Sequence, residues 1–220
     1  MWWKSFFKKS LDIILDLLFP KHCIICDKTV FEFTDVALCR NCLGKEQTPK
    51  YIKDDKFIFD EAVCVLKYQD VVKDVMLRYK FKSIKYYSKA YAHLMIEAVK
   101  DREYFKDALI CSVPLSAGRD RPYNQTAVIA KEIADLWQSE YIEDLLLKCR
   151  EVKPLSKMKL PERRFYIEGA FSVNPKYGIF GRDILLIDDI FTSGTTAKEC
   201  AKTLKMYGAN KVYVLCACYD

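Results

Sequence analysis

An α/β fold, with a central parallel sheet flanked by helices and a small four-cysteine module ahead of it, is predicted by three features of the 220-residue chain. Short continuous apolar runs at Ala108–Val113, Ile184–Ile187 and Val212–Cys216 have the length and composition of strands buried on both faces. The last two are separated by helical periodicity from about Thr195 to Tyr207, and strand, helix, strand in that order makes a parallel unit. Two cysteine pairs lie between residues 20 and 45, apart from all of these runs.

The elements follow in chain order. Trp3, Phe7, Leu11, Ile14 and Leu18 recur at helical spacing, so the first residues predict an amphipathic helix that Pro20 ends. Its apolar face suits docking on the rest of the chain, and its aromatics and lysines also suit a membrane surface or a partner. The cysteine pairs follow, and beyond Thr48-Pro49 the composition changes, which divides the chain into a module at 1–50 and a larger domain at 51–220. Phe57–Leu66 reads as a strand, and residues 70–80 and 86–100 have helical periodicity. After Ala108–Val113, ended by Pro114, come a polar turn and a helix from about Asn124 to Trp137. Leu145–Leu147 is a short strand candidate, and 150–168 reads as a long functional loop, basic and interrupted by proline. There is no internal repeat.

Composition excludes whole classes. With 51% hydrophobic and 30% charged residues the chain is neither disordered nor of low complexity. Lys4, Lys8, Lys9, Asp12 and Asp16 cut the N-terminal apolar runs to three residues, too short for a secretory core of about 7–15 or a span of about 20. The expected location is the cytoplasm. Thirty-six basic against thirty acidic residues give +6, which favours anionic partners without naming one. No P-loop lysine motif and no G-x-G-x-x-G is present, so nucleoside triphosphate and dinucleotide sites lack support.

Ten cysteines would suit either a disulfide scaffold or a metal site, and spacing separates the two. Cys23-x2-Cys26, twelve residues, then Cys39-x2-Cys42 is the pattern of a four-thiolate zinc finger, in which two tight turns each present two sulfurs. A redox dithiol pair is the competing reading. Four thiolates leave no coordination position for a substrate, so the zinc is expected to be structural, and His22 is not needed as a ligand. Cys64, Cys111, Cys149, Cys200, Cys216 and Cys218 sit in or near apolar runs, where packing is their expected role.

The most specific segment is Ile184-Leu-Leu-Ile-Asp188-Asp189-Ile-Phe-Thr192-Ser193-Gly194-Thr195-Thr196, followed at once by a helix. A buried strand brings two adjacent carboxylates to its carboxyl end, where open α/β sheets bind ligands. The turn behind it is made of small hydroxyl residues and one glycine, so backbone NH groups can close around an anion with a helix dipole behind them. An ordinary capped helix would need neither the second aspartate nor five small residues in a row. The combination suits a phosphate bound beside a polyol.

The stretch IDDIFTSGTT resembles the signature of type I phosphoribosyltransferases. The resemblance implies a type I phosphoribosyltransferase-like fold that binds phosphoribosyl pyrophosphate with magnesium. Asp188 and Asp189 would be the catalytic candidates facing the ribose hydroxyls, and Thr192, Ser193, Gly194, Thr195 and Thr196 would hold the 5-phosphate. Upstream, Pro114-Leu115-Ser116-x-x-Arg119-x-Arg121-x-Tyr123-Asn124-Gln125 is similar to a segment of the ComF/GntX family of competence-associated phosphoribosyltransferase-like proteins, as is Gly169-Ala-Phe171 preceded by Arg163. A four-cysteine finger ahead of the domain is that family's arrangement too. By this likeness Pro114, Leu115, Ser116 and Arg119 belong to the pyrophosphate loop, with Arg119 pairing phosphate oxygens. The chain departs from the family near Pro122, where a glycine is usual, and at Leu155 and Tyr166, which replace a glutamine and an asparagine.

The net charge is local. Residues 75–96 hold Arg78, Lys80, Lys82, Lys85 and Lys89 with no acid, interleaved with Tyr79, Phe81, Tyr86 and Tyr87. Lysines and aromatics in this mixture can track a phosphate backbone and stack bases, or simply form a solvated helix face. Residues 148–164 carry seven basic and two acidic side chains, and Lys157 and Arg163 are candidates for a lid over the pyrophosphate. Two functions follow. One is a binding protein of DNA uptake and natural transformation that holds phosphoribosyl pyrophosphate and single-stranded DNA, its N-terminal helix meeting the competence machinery or the inner face of the membrane. The other is a metabolic phosphoribosyltransferase acting on a nitrogenous acceptor with no nucleic-acid role. No general base is identifiable.

Overall fold

In a computed structural model, described for residues 20–30, 36–43, 47–82, 84–115, 123–149 and 167–220, the main sheet has one antiparallel edge and is otherwise parallel. The cysteine module contributes a small antiparallel hairpin, β1 (Lys21–His22) with β2 (Thr29–Val30), and the short helix α1 (Arg40–Leu43). The sheet is built from β3 (Lys50–Ile52), β4 (Glu61–Lys67), β5 (Leu109–Ser112), β8 (Ile184–Phe191) and β9 (Val212–Tyr219), in the order β3-β4-β9-β8-β5. A separate hairpin pairs β6 (Leu146–Lys148) with β7 (Phe171–Val173). Helices α2 (Asp70–Phe81), α3 (Tyr87–Ala98), α4 (Glu103–Asp107), α5 (Gln125–Trp137) and α6 (Thr195–Met206) connect the strands.

The sheet is buried on both faces, and the period-2 alternation of a strand sorts its side chains between two cores. Leu185 and Ile187 of β8 join Val63, Ile110 and Leu215 in one cluster with α2, α3 and α5. Ile184 and Leu186 join Ala62, Cys111 and Val214 in the other, against α6 and the β6–β7 hairpin. The cysteine module is continuous with the first cluster: Cys23, Ile24, Val30, Ala37, Leu38 and Cys42 are buried together with Val75, Tyr79 and Tyr91.

Within the described residues the expected strands and helices are found, with three differences from expectation that have identifiable positions. The strand expected from Phe57 starts only at Glu61, because Phe57 and Phe59 leave the ladder and stack on each other, centroids 4.6 Å apart. The run expected to end at Ile187 pairs on to Phe191, since β9 continues to Tyr219 and offers partners opposite Asp188, Ile190 and Phe191. Of the six cysteines assigned to packing, five are buried, and Cys149 is exposed, just past the end of β6 with its Sγ 2.9 Å from Ser172 Oγ. Among the described residues no helix is long and apolar enough to cross a membrane. The N-terminal helix expected from Trp3 to Leu18, the loop residues Ser116, Arg119, Arg121 and Pro122, and positions 150–166 with Leu155, Lys157, Arg163 and Tyr166 lie outside the described residues.

Candidate functional site

The cysteine cluster is assembled from two tight turns. In the first, the Cys23 amide donates to the Lys28 carbonyl and the Asp27 amide donates back to the Cys23 carbonyl, both at 2.9 Å. Asp27 takes the left-handed conformation, φ 57°, that closes this turn. In the second, at α1, the Cys42 amide donates to the Cys39 carbonyl at 2.9 Å. The four sulfurs lie within 4.8 Å of one another, and those of Cys26 and Cys39 are 3.7 Å apart. A tetrahedron with bonds of about 2.3 Å has edges of about 3.8 Å, so these thiols fit a metal such as zinc. His22 takes no part and its Nδ1 lies 2.9 Å from the Asp27 carbonyl.

Alternation along β8 sends its two aspartates to opposite faces. Asp188 falls on the face of Ile184 and Leu186, toward α6, where burial pushes the Cys200 thiol well up and the Asp188 charge adds to that rise. Asp188 is itself buried, and its Oδ1 accepts the Asp189 amide at 2.8 Å. Asp189 falls on the α2 side. There the Lys80 ammonium stands 2.7 Å from Asp189 Oδ2, with the lysine side chain 9% exposed. Burial raises the neighbouring Cys218 thiol, Asp189 raises it further, and Lys80 opposes them.

The turn expected to hold an anion begins where β8 ends. Gly194 sits at the N-cap of α6 with φ 69° and ψ 5°, a left-handed conformation that glycine adopts without a steric penalty. An added Cβ would stand 2.6 Å from the Phe191 ring and 3.0 Å from the Phe57 ring. Phe191 meets Phe57 and Phe59 edge-on, centroids 6.2 and 6.1 Å apart, so a rigid aromatic floor underlies the turn. The first helical bond runs from the Lys198 amide to the Gly194 carbonyl, which leaves the amides of the first turn directed out of the helix end. Ser193 Oγ and Thr195 Oγ1 lie 2.7 Å apart at this end of the helix. Thr192 and Thr196 complete the turn.

The predicted pyrophosphate loop is fixed at its two ends. Val113 is bonded through its amide to the Ile187 carbonyl at 3.0 Å, which sets Pro114 and Leu115 beside the end of β8. Asn124 caps α5 by accepting the Thr126 amide, and both side chains donate to the Val113 carbonyl, Asn124 Nδ2 at 3.2 Å and Thr126 Oγ1 at 2.9 Å. The adjacent residues bind the last turn of α2: Tyr79 Oη donates to the Gln125 carbonyl, Gln125 Nε2 to the Lys80 carbonyl and Tyr123 Oη to the Tyr79 carbonyl, each at 2.9 Å. These bonds hold the backbone of Lys80 in place beneath Asp189. Gln125→Ala should lower the unfolding free energy by about 1–3 kcal/mol, because a buried carbonyl loses its donor. An unchanged denaturant midpoint would show that water replaces that donor.

The four basic residues expected to form one nucleic-acid surface are divided by the structure. Arg78 pairs with Asp27 of the cysteine module, Nη2 to Oδ1 2.7 Å, and Lys80 is turned inward. Lys82 and Lys85 are exposed, with Phe81 exposed beside them and the Lys85 ammonium 5.4 Å from the Tyr123 ring centre. The inward turn of Lys80 had a signal in the sequence: it lies four residues after Met76 on the stripe with Val75 and Tyr79 that α2 buries. On the far side, the Gly169 amide donates to Glu199 Oε1 at 2.7 Å, tying the Gly169-Ala-Phe171 segment to the helix of the anion cradle.

A largely parallel sheet in which the strand beside the central one carries two adjacent acids near its carboxyl end, followed by a hydroxyl-rich turn over a helix N-terminus, defines a protein of the type I phosphoribosyltransferase-like fold class. No family model matches the sequence. The chain is 30% identical over 202 residues to competence protein ComFC of Streptococcus pneumoniae, covering 86% of this chain and 84% of that one, and it belongs to the ComF family. It is 24% identical to competence protein F of Haemophilus influenzae, covering 80% and 76% of the two chains, and 24% identical to the DNA utilization protein YhgH of Escherichia coli, covering 89% of each. Among solved structures, a hypoxanthine phosphoribosyltransferase of Staphylococcus aureus aligns with 59% of this chain and 61% of its own, at 18% identity and a TM-score of 0.37. A glutamine phosphoribosylpyrophosphate amidotransferase of B. subtilis aligns over 59% of this chain and 26% of its own, at 18% identity and a TM-score of 0.40.

Proposed function

We propose that this protein binds phosphoribosyl pyrophosphate at the end of β8 and single-stranded DNA on the neighbouring basic surface, and that it serves DNA uptake, a reading supported by relatives named for competence and for DNA utilization. The observation that carries the reading is the sequence of chemistries along one turn. Two carboxylates that can accept hydrogen bonds from sugar hydroxyls are followed within a few residues by first-turn amides and hydroxyls of the kind that bind an anion. Asp188 and Asp189 orient the pentose, Ser193 and Thr195 with the first-turn amides hold its phosphate, and the Pro114–Leu115 end of the neighbouring loop faces the pyrophosphate side.

A magnesium ion, bound with the ligand, would neutralise charge on the pyrophosphate. Among the described residues the cysteines alone bring three or more metal-ligating side chains together, so the site offers an acid pair and no protein-built magnesium cage. That donor set fits an ion held chiefly by ligand phosphates. The cysteine cluster would hold zinc as a structural ion.

Calorimetric titration with phosphoribosyl pyrophosphate and magnesium tests the reading. Binding is expected in the native protein, with affinity reduced roughly 10- to 100-fold in Asp188→Ala, where charge-assisted acceptors are lost. Absence of binding in the native protein would overturn the phosphoribosyl assignment. Pyrophosphate release on adding cell extract would show that transfer to an acceptor follows. For DNA, the logarithm of affinity should fall linearly with the logarithm of salt concentration. Replacing Lys82 and Lys85 by alanine should reduce the slope by about 1.4, two phosphate contacts at about 0.7 each for a single strand. An unchanged slope would place the strand elsewhere on the surface.

A further inference from the structure

Lys80 is the one element of this site that its acid pair and anion cradle do not require. It is 7% exposed, sits in the last turn of α2, and pairs with a carboxylate of a different structural layer at 2.7 Å. A lysine becomes this deeply buried only when its ammonium is paired, and here the backbone that carries it is fixed independently. The bonds from Gln125 to its own carbonyl and from Tyr123 to that of Tyr79 determine where the stem begins. The placement is therefore built by three elements, α2, α5 and β8, and does not depend on a flexible surface side chain finding a partner.

We propose that Lys80 is a specificity-determining residue of the phosphoribosyl site: its ammonium takes the place on Asp189 that a divalent cation would otherwise occupy, so that the acids meet the sugar as hydrogen-bond acceptors and acquire no metal of their own. A bare Asp189 carboxylate beside a phosphate site, with the charge of Asp188 one residue away on the other face of the strand, would attract a hard cation before any ligand arrived and would repel a polyanionic ligand that lacked one. A covalently attached monocation removes both effects, because it neutralises one acid, fills one side of it, and cannot dissociate. Magnesium then enters with the phosphates of the ligand. The affinity for phosphoribosyl pyrophosphate depends less on free magnesium than it would with the bare acid pair. The inference rests on the phosphoribosyl reading for its ligand, and on geometry alone for the exclusion of metal.

Manganese, a paramagnetic stand-in for magnesium, is titrated into zinc-loaded protein without phosphoribosyl pyrophosphate and followed by electron paramagnetic resonance. The native protein and Lys80→Arg are expected to bind no manganese at the acid pair. Lys80→Met, which keeps the stem and removes the charge, is expected to gain a site that binds about tenfold or more tightly than anything in the native protein, and to lose it when Asp189→Asn is added. Calorimetry with phosphoribosyl pyrophosphate, with and without magnesium, should show a ratio of affinities about tenfold larger in Lys80→Met than in the native protein. A manganese site in the native protein that Asp189→Asn abolishes would overturn the proposal, and this measurement needs no folded Lys80→Met. A folded Lys80→Met that gains no manganese and has an unchanged magnesium ratio would overturn it equally. If no variant binds phosphoribosyl pyrophosphate under any condition, the phosphoribosyl reading fails and the manganese titration still decides the role of Lys80.

Discussion

Replacing Gly194 by alanine is expected to destabilise the fold by roughly 2–5 kcal/mol and to weaken phosphoribosyl pyrophosphate binding about a hundredfold. Two independent costs meet at this position. A non-glycine residue at φ 69° brings its Cβ too close to the following carbonyl, at about 1–2 kcal/mol. The Cβ then stands 2.6 Å from the edge of the Phe191 ring. That ring is 5% exposed and wedged against Phe57 and Phe59, so it cannot swing clear without disturbing the cluster, an overpacking cost of about 1–3 kcal/mol. Either the aromatic floor or the turn must move, and if the turn moves its amides lose their common focus. Thermal unfolding with calorimetry on the same sample checks both parts. A variant with native melting temperature and native affinity would show that the ring cluster yields at no cost.

Removing metal from the cysteine module is the second large effect. The expected zinc content is about one ion per chain by elemental analysis, and chelation should lower the thermal midpoint cooperatively. In isolated zinc fingers, metal binding supplies about 10–16 kcal/mol and is itself the folding free energy, so its loss opens the module completely. Here the damage spreads, because Cys23, Ile24, Leu38 and Cys42 are buried in the same cluster as α2 and α3. Cys39→Ser should reproduce the chelated state. A metal-free Cys39→Ser protein with the native midpoint would refute a structural role for the ion.

Much of this architecture is legible in the residues, and for identifiable reasons. Ile184–Ile187 and Val212–Cys216 are apolar at every position because the strands are covered on both faces, and no amphipathic alternative fits four or five such residues in a row. The cysteine cluster is legible because two C-x2-C pairs at that separation suit a shared ion, and the four sulfurs do come within 4.8 Å of one another. What escaped depends on contacts distant in sequence. Phe57 and Phe59 alternate like a strand and are diverted by Phe191, more than a hundred residues on. Lys80 and Arg78 read as members of a basic window, whereas their partners are Asp189 and Asp27, which no local spacing connects to them. The acid pair and cradle were readable as a unit because they are contiguous. The cation beside them was not, because it arrives from another helix.

The ion pair between Asp27 and Arg78 joins the turn that carries the first cysteine pair to the helix that carries Lys80. Asp27 follows directly on a cysteine of the metal cluster, and Arg78 is two residues from the lysine that meets Asp189. If holding a metal at one end of this route changes the affinity for a ligand at the other, the thermodynamic cycle requires the ligand to change the affinity for the metal by the same factor. Phosphoribosyl pyrophosphate would then protect the cysteine module against chelators to the degree that zinc improves its binding. Arg78→Ala would reduce both effects together.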